Sequence, residues 1–412
     1  MKKLSFLLAL VLLFSFCLGG CGQPQPNPKL DDLNMLCDTL EKNHYNLYAN
    51  VSEEEFQAER EKIARQTAKM TDEEFYWSVC HLISLIGDAH TTTGALGENF
   101  MSVLPWSVKK FDEGWFILGV DKAHEQYLGT RVTAINDLPI DEAVERARQV
   151  VSYEADSWLW QQVPNVLTRN SSLEYLDIVD HDEPVQVTVE AAAGTEETFE
   201  LPTYDNWDEA EQEMCDFQRE STPRTAKQDA IYWSTAPDES TYFIQYNSCK
   251  EDPDLPMAQF VQQVEADLES GGYQNIIIDL RYNSGGNSEV IRPLEKPLFF
   301  HSFNVDNVQF YILIGGRTFS SATIAATDFK KTTIGNSIFV GQPTGGVLKC
   351  AGDVLPLFME NTPIAMQYST KYFDLLYGVE GPLEPDYTVP QPFAQYAKGE
   401  DAEIAYLYKN LL

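Results

Sequence analysis

The chain has 412 residues, a formal net charge of -34, and hydrophobic residues at 43% of its positions. This length allows a sizeable hydrophobic core divided over roughly two or three subdomains. Proteins that bind nucleic acid neutralise its phosphates with lysine and arginine, so the excess of acidic residues argues against a nucleic-acid partner. The same excess favours solubility outside the cell and says little about the fold.

The segment 1–21 is predicted to be a lipoprotein signal peptide. A basic start at Lys2 and Lys3 precedes an apolar run over 4–16, which is too short for a stable membrane span. Small residues then lead into Cys21, as in the bacterial lipobox, where the cysteine is lipidated and becomes the new N-terminus. An ordinary signal peptide with an incidental cysteine is the alternative. We expect an exported protein that a diacyl group holds in the outer face of the bacterial cytoplasmic membrane or in another envelope membrane.

Residues 22–30 alternate proline with polar residues, which is typical of an extended tether. The segment 31–95 is predicted to be helical, because its apolar residues recur at helical spacing. Ser52 and Thr71 are each followed three residues later by glutamate, which is the capping-box signature of a helix start. The last of these helices leads into a loop that contains His90.

The segment 96–204 is predicted to be a small β-rich connector with a helix over about 140–151. The predicted strands are 108–111, 115–120, 131–135, 185–191 and 197–201. Residues 205–216 are acidic and poor in strand-forming residues, which indicates a loop. We therefore predict an acidic linker over 205–230, before the last domain.

Strands alternate with helices in the last segment, 231–412. The predicted strands are 241–246, 275–280, 308–314 and 337–340, and the predicted helices are 256–268 and 321–331. The strand at 275–280 is continuously apolar, as in strands that are buried on both faces. The sequence therefore predicts an α/β fold (α+β over the whole chain) in which helices cover a mainly parallel or mixed sheet.

Neither the cysteines nor the histidines form a metal-binding or redox pattern. Beyond Cys21, the remaining cysteines are irregularly spaced and include no CxxC pair: Cys37, Cys80, Cys215, Cys249 and Cys350. The six histidines show no HExxH spacing. We therefore expect no metal and no cofactor.

Paired glycines follow the apolar strand at 275–280, in the sequence DLRYNSGG over 279–286. Backbone amides at Gly285 and Gly286 can point into a cleft because no side chain is in the way. Fixed amide dipoles of this kind are what an oxyanion hole needs to stabilise developing negative charge. The alternative is an ordinary turn between a strand and a helix.

A second loop, GGRTFSSAT over 315–323, leads into a predicted helix. Ser320 stands just before that helix, where a serine usually only caps the first turn. A nucleophile at the same place would have its attacking oxygen beside free amides of the first helical turn, including that of Ser321. The residues by themselves leave both roles open.

Taken in order, these segments resemble a known family. The motifs are DLRxNxGG at 279–286, TFSSA at 318–322, GQPTGG at 341–346 and the pair Pro385-Asp386. Their joint order is similar to that of the tail-specific, or C-terminal processing, serine peptidases. The similarity is to the branch that also holds the tricorn core and the retinoid-binding-protein repeats, and it covers residues 33–412. It implies a ClpP/crotonase-like mixed sheet with covering helices.

The resemblance also implies how the two loops act. Ser320 aligns with the family nucleophile, and the amides of Ser321 and of Gly285 or Gly286 would form the oxyanion hole. At the third residue after the nucleophile, where relatives often carry glutamate, this chain has Thr323. No cofactor is implied.

Two residues are candidates for the base. Many relatives use a lysine, but the matching residues 344–347 hold none, so only the nearby Lys349 could take that part. The tricorn-like branch uses a histidine, whose match is His90, and an imidazole titrates near neutrality. Members of that branch place a serine before the histidine and hold it with a late glutamate. Here Ala89 precedes His90, and Glu380 would be the acid.

Two functions remain open at this point. One is a membrane-anchored serine endopeptidase that acts on polypeptides outside the membrane through an acyl-enzyme, with Ser320 and His90 as its reacting groups. The other is a non-catalytic lipoprotein that binds a peptide or ligand on the same fold. Residues 128–147 resemble the later part of a PDZ module, which implies either capture of a peptide as an added strand or a structural connector. Whether Ser320 and His90 meet discriminates between the two functions.

Overall fold

A computed structural model describes residues 26–96, 101–181, 183–191, 194–333 and 335–412. The predicted signal peptide, Cys21 and the first part of the predicted tether lie outside the described residues. In the part of the chain that the structure describes, no helix is both long enough and apolar enough to cross a membrane.

The N-terminal segment is helical, and its helices are α1 (Pro28–Asn43), α2 (Glu53–Ala64) and α3 (Asp72–Ser84). The first begins inside the predicted tether, because proline fits the first helical position and the Asn27 side chain accepts a hydrogen bond from the amide of Leu30. Both predicted capping boxes, at Ser52 and Thr71, are present. After α3, a loop leads into strand β1 (Thr92–Ala95).

An antiparallel sheet of seven strands forms the connector. Its strands are β2 (Trp106–Phe111), β3 (Gly114–Asp121), β4 (Arg131–Ile135), β5 (Leu138–Pro139), β6 (Val185–Glu190), β7 (Glu196–Leu201) and β8 (Met214–Asp216). The accompanying helices are α4 (Ile140–Ala147), α5 (Asp156–Leu167), α6 (Asn170–Tyr175) and α7 (Trp207–Glu213). The sheet shares one hydrophobic core with α1–α3, and residues 359–368 contribute to that core. The likeness of 128–147 to a PDZ module stays a prediction.

The prediction of a loop over 205–216, within the predicted linker 205–230, is wrong. Helix α7 occupies part of it, because Asn206 caps the helix by accepting a hydrogen bond from the amide of Glu209. Strand β8 pairs antiparallel with β3. Pairing with an available strand overrides the weak local preference of this acidic segment.

A mixed sheet forms the last part of the chain, as predicted. The strands of this part are β9 (Tyr232–Thr235), β10 (Thr241–Tyr246), β11 (Asn275–Asp279), β12 (Gln309–Ile314), β13 (Ser337–Gly341), β14 (Lys349–Phe358), β15 (Ile364–Asp374) and β16 (Tyr387–Thr388). Six of them form one sheet in the order β16-β13-β12-β11-β10-β9, in which only the β9–β10 pair is antiparallel. The predicted mixed α/β class is therefore confirmed.

Helices cover both faces of this sheet. They are α8 (Met257–Gly271), α9 (Arg292–Asn304), α10 (Ser321–Thr332), α11 (Phe393–Ala397) and α12 (Ala402–Asn410). Ile276 and Ile278 pack into a core with residues of α8, α9 and α10, whereas Ile277 packs on the other face with Leu407 of α12. Strand β11 is thus buried on both faces, which explains its continuous apolar sequence.

The remaining strands, β14 and β15, form a hairpin that pairs with β1 instead of the six-stranded sheet. The turn of this hairpin is fixed to α1 by the buried carboxylate of Asp32. That carboxylate accepts hydrogen bonds from the backbone amides of Glu360 and Asn361 and from the Thr362 hydroxyl. The hairpin therefore holds the loop before β1, which carries His90, against the last part of the chain.

A buried ion cluster fixes the carboxyl end of β11. Arg281, which is 1% exposed, forms ion pairs with Asp279 at 2.8 Å, Asp401 at 2.8 Å and Glu403 at 2.7 Å. Asp401 and Glu403 belong to the start of α12. The cluster therefore joins the C-terminal helix to the sheet edge where the loop with Gly285 and Gly286 begins.

We predict that Arg281→Leu lowers the free energy of unfolding by about 3–5 kcal/mol, because it leaves buried carboxylates without their cation. Chemical denaturation measures the change. The matched control is Arg292→Leu, which removes an exposed ion pair to Glu289 and should cost about 0–1 kcal/mol. Equal effects of the two substitutions would contradict this account of the cluster.

Candidate active site

The two loops singled out in the sequence meet at one edge of the mixed sheet. They follow β11 and β12, which are parallel neighbours, so their carboxyl ends lie side by side. A Cβ atom on Gly285 would lie 2.7 Å from the Cβ of Ser320 and 3.1 Å from the carbonyl oxygen of Phe319. Only glycine fits so close an approach, and the positive φ of 108° at Gly285 also favours it. The amide of Phe319 donates to the carbonyl of Asn283 at 3.1 Å and ties the loops together.

Ser320 does not cap the helix that it precedes. Its backbone has φ 53° and ψ -124°, and its side chain makes no capping hydrogen bond. A non-glycine residue in such a region costs on the order of 1–3 kcal/mol, so the surrounding structure must impose it. Thr318 contributes, because its hydroxyl donates to the carbonyl of Leu280 and accepts from the amide of Gly315, both at 3.0 Å. The strained turn leaves the Ser320 hydroxyl free for another role.

The backbone amides beside Ser320 fall into two groups. The Gly285 amide donates to the side-chain oxygen of Asn283 at 2.9 Å, so its predicted place in an oxyanion hole is wrong. The amides of Gly286 and Ser321 donate no hydrogen bond to any described residue. The Ser321 hydroxyl donates to the carbonyl of Gly286 at 2.7 Å and holds these two residues together. The resemblance left open whether Gly285 or Gly286 supplies an amide to the oxyanion hole. In the structure the Gly286 amide is available, together with the amide of Ser321.

His90 lies in the loop before β1 and is 7% exposed. Its amide donates to the Asp88 carboxylate at 2.9 Å, and its carbonyl accepts from the Gln367 side chain, in β15, at 3.1 Å. Its imidazole stacks on the ring of Phe319, with a centroid distance of 4.5 Å. Phe319 stacks in turn on Trp158 of α5 at 4.0 Å. The ring of His90 is therefore held beside the residue that precedes Ser320.

One cavity of about 410 Å³ is lined by Ser320 and His90 together with Gly286 and Ser321. Ser320 and His90 thus line the same space, although no hydrogen bond joins their side chains in the described structure. Catalytic hydrogen bonds are often long without substrate and tighten when it binds. Strand β14 supplies part of the wall, which includes Cys350.

Burial favours the neutral form of His90. Burial lowers the pKa of His90 below its ordinary value, and the charge of Asp88 opposes that shift. Burial by itself would raise the pKa of Asp88, but hydrogen bonds from His44, Ser369 and Thr91 and from the His90 amide outweigh it and lower this pKa to about 2. A fixed anion therefore stands beside a neutral imidazole at neutral pH.

Glu154, in the loop before α5, is a site residue that the sequence reasoning missed. Its carboxylate accepts a hydrogen bond from the amide of Ala89. Ligand atoms of Glu154, Asp88 and His90 all lie within 4.8 Å of one another. Burial, and then the charge of Asp88, raise the pKa of Glu154 to about 8. No motif surrounds Glu154 in the sequence, and 64 residues separate it from His90, so only the fold brings it here.

The other two predicted supporting residues are not at the cavity. Lys349 and Glu380 form an ion pair with each other at 2.9 Å, and the Glu380 side chain is 80% exposed. In the described structure neither residue lines the cavity that holds Ser320 and His90. Lys349 begins β14, and the residues that follow it in the strand, from Cys350 onward, line the cavity. The predictions of Glu380 as the supporting acid and of Lys349 as a substitute base are therefore wrong for this structure.

Comparison with solved structures establishes the fold. The structure of mature CPAF complexed with lactacystin matches with a TM-score of 0.61 at 11% sequence identity, over 93% of this chain and 97% of that chain. Mature CPAF matches with a TM-score of 0.59 at 12% identity, over 93% and 96% of the two chains. The photosystem II D1 C-terminal processing protease matches with a TM-score of 0.41 at 12% identity, over 91% and 98%.

No family model matches the sequence. No curated protein matches it either. The likeness to mature CPAF covers 93% of this chain, so it concerns the fold over most of its length.

We predict that Glu154 makes the stability of the protein depend on pH. Its pKa is raised from 4.5 to about 8 in the folded chain, so its contribution is fully present below pH 4.5 and is lost as the pH rises through 8. Between these values the free energy of unfolding should fall by up to about 1.4 kcal/mol per pH unit. Chemical denaturation at a series of pH values measures this slope in wild type and in Glu154→Gln, with a chelator present to remove any bound metal ion.

The matched control is Glu380→Gln, which removes an exposed carboxylate. The hydrogen bond and charge of Lys349 lower the pKa of Glu380 and outweigh the opposing effect of burial. That variant should keep the wild-type slope between pH 4.5 and 8, whereas Glu154→Gln should flatten it. An unchanged slope in Glu154→Gln would contradict the assignment.

Proposed function

We propose that this protein is a serine-type endopeptidase that hydrolyses peptide bonds outside the membrane through an acyl-enzyme. The observation that carries the proposal is the meeting of distant groups at one cavity. Ser320, His90 and two residues whose backbone amides donate to no described residue all line it. The order of motifs in the sequence, which resembles that of the tail-specific peptidases, supports the same conclusion.

In the first half of the reaction, the Ser320 oxygen attacks the carbonyl carbon of the peptide bond. His90 accepts the hydroxyl proton through Nε2, as a neutral imidazole can. The carbonyl oxygen becomes an oxyanion, which the amides of Gly286 and Ser321 stabilise by donating hydrogen bonds. Collapse breaks the carbon–nitrogen bond, His90 returns the proton to the departing amine, and an ester on Ser320 remains.

In the second half, water attacks that ester. His90 takes a proton from the water, and the same amides stabilise the second oxyanion. The carboxylic acid product leaves as His90 gives the proton back to the Ser320 oxygen. In each half His90 gains one proton and then gives it up, so the enzyme returns to its starting state without a cofactor.

The acid that supports His90 is local in this proposal. The Asp88 carboxylate lies 4.0 Å from Nδ1 of His90, and Glu154 lies in the same cluster. A carboxylate on the Nδ1 side favours the tautomer with its proton there and leaves Nε2 free to accept. Asp88 thus takes the part that the sequence assigned to Glu380, because its carboxylate stays ionised at neutral pH, whereas the raised pKa of Glu154 keeps that group largely protonated.

We predict that a fluorophosphonate probe labels the wild-type protein at Ser320. Ser320→Ala should abolish labelling because it removes the attacking oxygen, and His90→Ala should reduce its rate by roughly 100-fold or more because the base is lost. Gel fluorescence and peptide mass spectrometry measure the rate and the site.

The control is Ser288→Ala, which changes another serine that lines the same cavity and should leave labelling unchanged. Full labelling of Ser320→Ala would remove the assignment of the nucleophile. A folded wild-type protein that is never labelled would favour the alternative, a non-catalytic lipoprotein that binds a peptide or ligand.

The proposed location rests on the sequence. The signal segment and Cys21 support an exported protein anchored to an envelope membrane by lipid, with its described domain facing polypeptide substrates outside. The alternating prolines that follow Cys21 would separate the domain from the bilayer.

We predict that the full chain, expressed in a bacterium, takes up a labelled fatty acid and sediments with membranes. Cys21→Ser should lose the label and the sedimentation, because the acceptor thiol is gone. Cys17→Ser, a change inside the predicted signal, is the matched control and should keep both. Membrane fractionation with lipid labelling is the measurement, and fatty-acid label on Cys21→Ser would contradict the anchor.

A further inference from the structure

Three side chains of metal-ligating type meet beside the cavity. They are Asp88 and His90, from the loop before β1, and Glu154, from the loop before α5. One ligand atom of each lies within 4.8 Å of the others, and Asp88 Oδ1 is 4.0 Å from His90 Nδ1. The two loops are 64 residues apart in sequence, which is why the histidine spacing predicted no metal site.

Two atoms available for coordination in this cluster have no hydrogen-bond partner among the described residues. His90 Nδ1 and Glu154 Oε2 are both buried, and neither makes a hydrogen bond to any described residue. A buried polar atom without a partner costs roughly 1–3 kcal/mol. A bound species that interacts with both atoms would recover that free energy. A cation can do so, because each atom can donate a lone pair to it.

We propose that Asp88, His90 and Glu154 reversibly bind one transition-metal ion of the zinc type. Zn2+ accepts imidazole nitrogen and carboxylate oxygen, and three protein ligands leave the fourth tetrahedral position for water. Mg2+ and Ca2+ select sets made of oxygen alone, so the imidazole excludes them as the preferred ions.

The geometry asks for one small movement. Ligand atoms about 2.0–2.2 Å from a tetrahedral zinc ion are roughly 3.4 Å apart, closer than the present limit of 4.8 Å. Oε2 of Glu154 can make this movement, because it gives up no hydrogen bond to a described residue, and the Ala89 amide contacts the same carboxylate.

Asp88 is already oriented for coordination. Its second oxygen accepts from the Thr91 hydroxyl at 2.6 Å and lies 3.1 Å from the His44 ring. Outer contacts of this kind orient metal ligands in known sites. His90 lines the cavity of about 410 Å³, which provides the path by which an ion would enter.

Coordination of zinc by His90 would stop peptide hydrolysis. This consequence rests on the proposed peptidase function. A neutral imidazole bound to metal through Nδ1 carries its proton on Nε2. It then cannot accept the proton of Ser320. Zinc binding and peptide hydrolysis therefore exclude each other, and the ion acts as a reversible inhibitor, not as a cofactor.

The binding test does not depend on catalysis. Purified full chain in detergent competes for Zn2+ with a chromophoric chelator, and we expect one site per chain that 1 mM Mg2+ does not displace. Glu154→Gln should weaken binding by more than the roughly 10–100-fold typical of losing an outer partner, and His90→Ala likewise. Ser320→Ala should bind as wild type does.

Glu380→Gln is the matched control, because it makes the same substitution in a carboxylate away from the cavity and keeps every cysteine. It should bind zinc as wild type does. Denaturation curves establish that each variant is folded. Wild-type affinity in folded Glu154→Gln, or no competition by the wild-type chain, would overturn the proposal.

A labelling arm separates the two proposals. Zn2+ should slow fluorophosphonate labelling of wild type, and a chelator should restore it. If zinc binds through the three residues while labelling stays unchanged, the inhibitory step is wrong and the site stands. If zinc binds and the protein is never labelled, the peptidase proposal fails and the metal site again stands.

Discussion

Three stacked aromatic rings hold the site together. Trp158 comes from α5, Phe319 from the loop before α10, and His90 from the loop before β1, with centroid distances of 4.0 Å and 4.5 Å. Each stacked pair contributes about 0.5–1.5 kcal/mol beyond the apolar area it buries. The connector, the mixed sheet and the N-terminal helices each supply one ring, so their relative placement decides whether the imidazole reaches the serine.

The β14–β15 hairpin supports that placement from the other side. It leaves the mixed sheet, pairs with β1 and is tied at its turn to α1 through Asp32. Gln367 in β15 donates to the carbonyl of His90, and Cys350 in β14 lines the same cavity as Ser320. The cavity is therefore built between the first and last parts of the chain. Neither part forms it by itself.

Strain and buried charge collect at this junction. Ser320 has a positive φ, and Glu154 shares a buried space with Asp88. Such features persist only where the surrounding structure imposes them, and they cluster at functional sites. The same Nδ1 of His90 serves both proposals: a carboxylate beside it prepares Nε2 as a base, and a metal ion on it removes that base.

Much of the framework could be predicted from the sequence, because it depends on local patterns. Capping boxes marked α2 and α3, apolar runs marked the parallel strands, and the glycines after β11 marked the loop that contacts Ser320. The motif order also pointed to His90 and Ser320 as partners. The capping boxes, apolar runs and glycines lie within a few residues of the features they specify, so they can be read without a fold, whereas the pairing of His90 with Ser320 came from the family resemblance.

Tertiary structure decided the rest, because it depends on contacts between segments far apart in the chain. Strand β8 forms in an acidic stretch because the edge of β3 is there to pair with it. The Gly285 amide is taken by Asn283, and Glu380 pairs with Lys349 at the surface, so neither fills the place that its motif suggested. Glu154 has no sequence signal at all. It becomes part of the site only because folding buries its carboxylate beside Asp88 and His90, where no local pattern could place it.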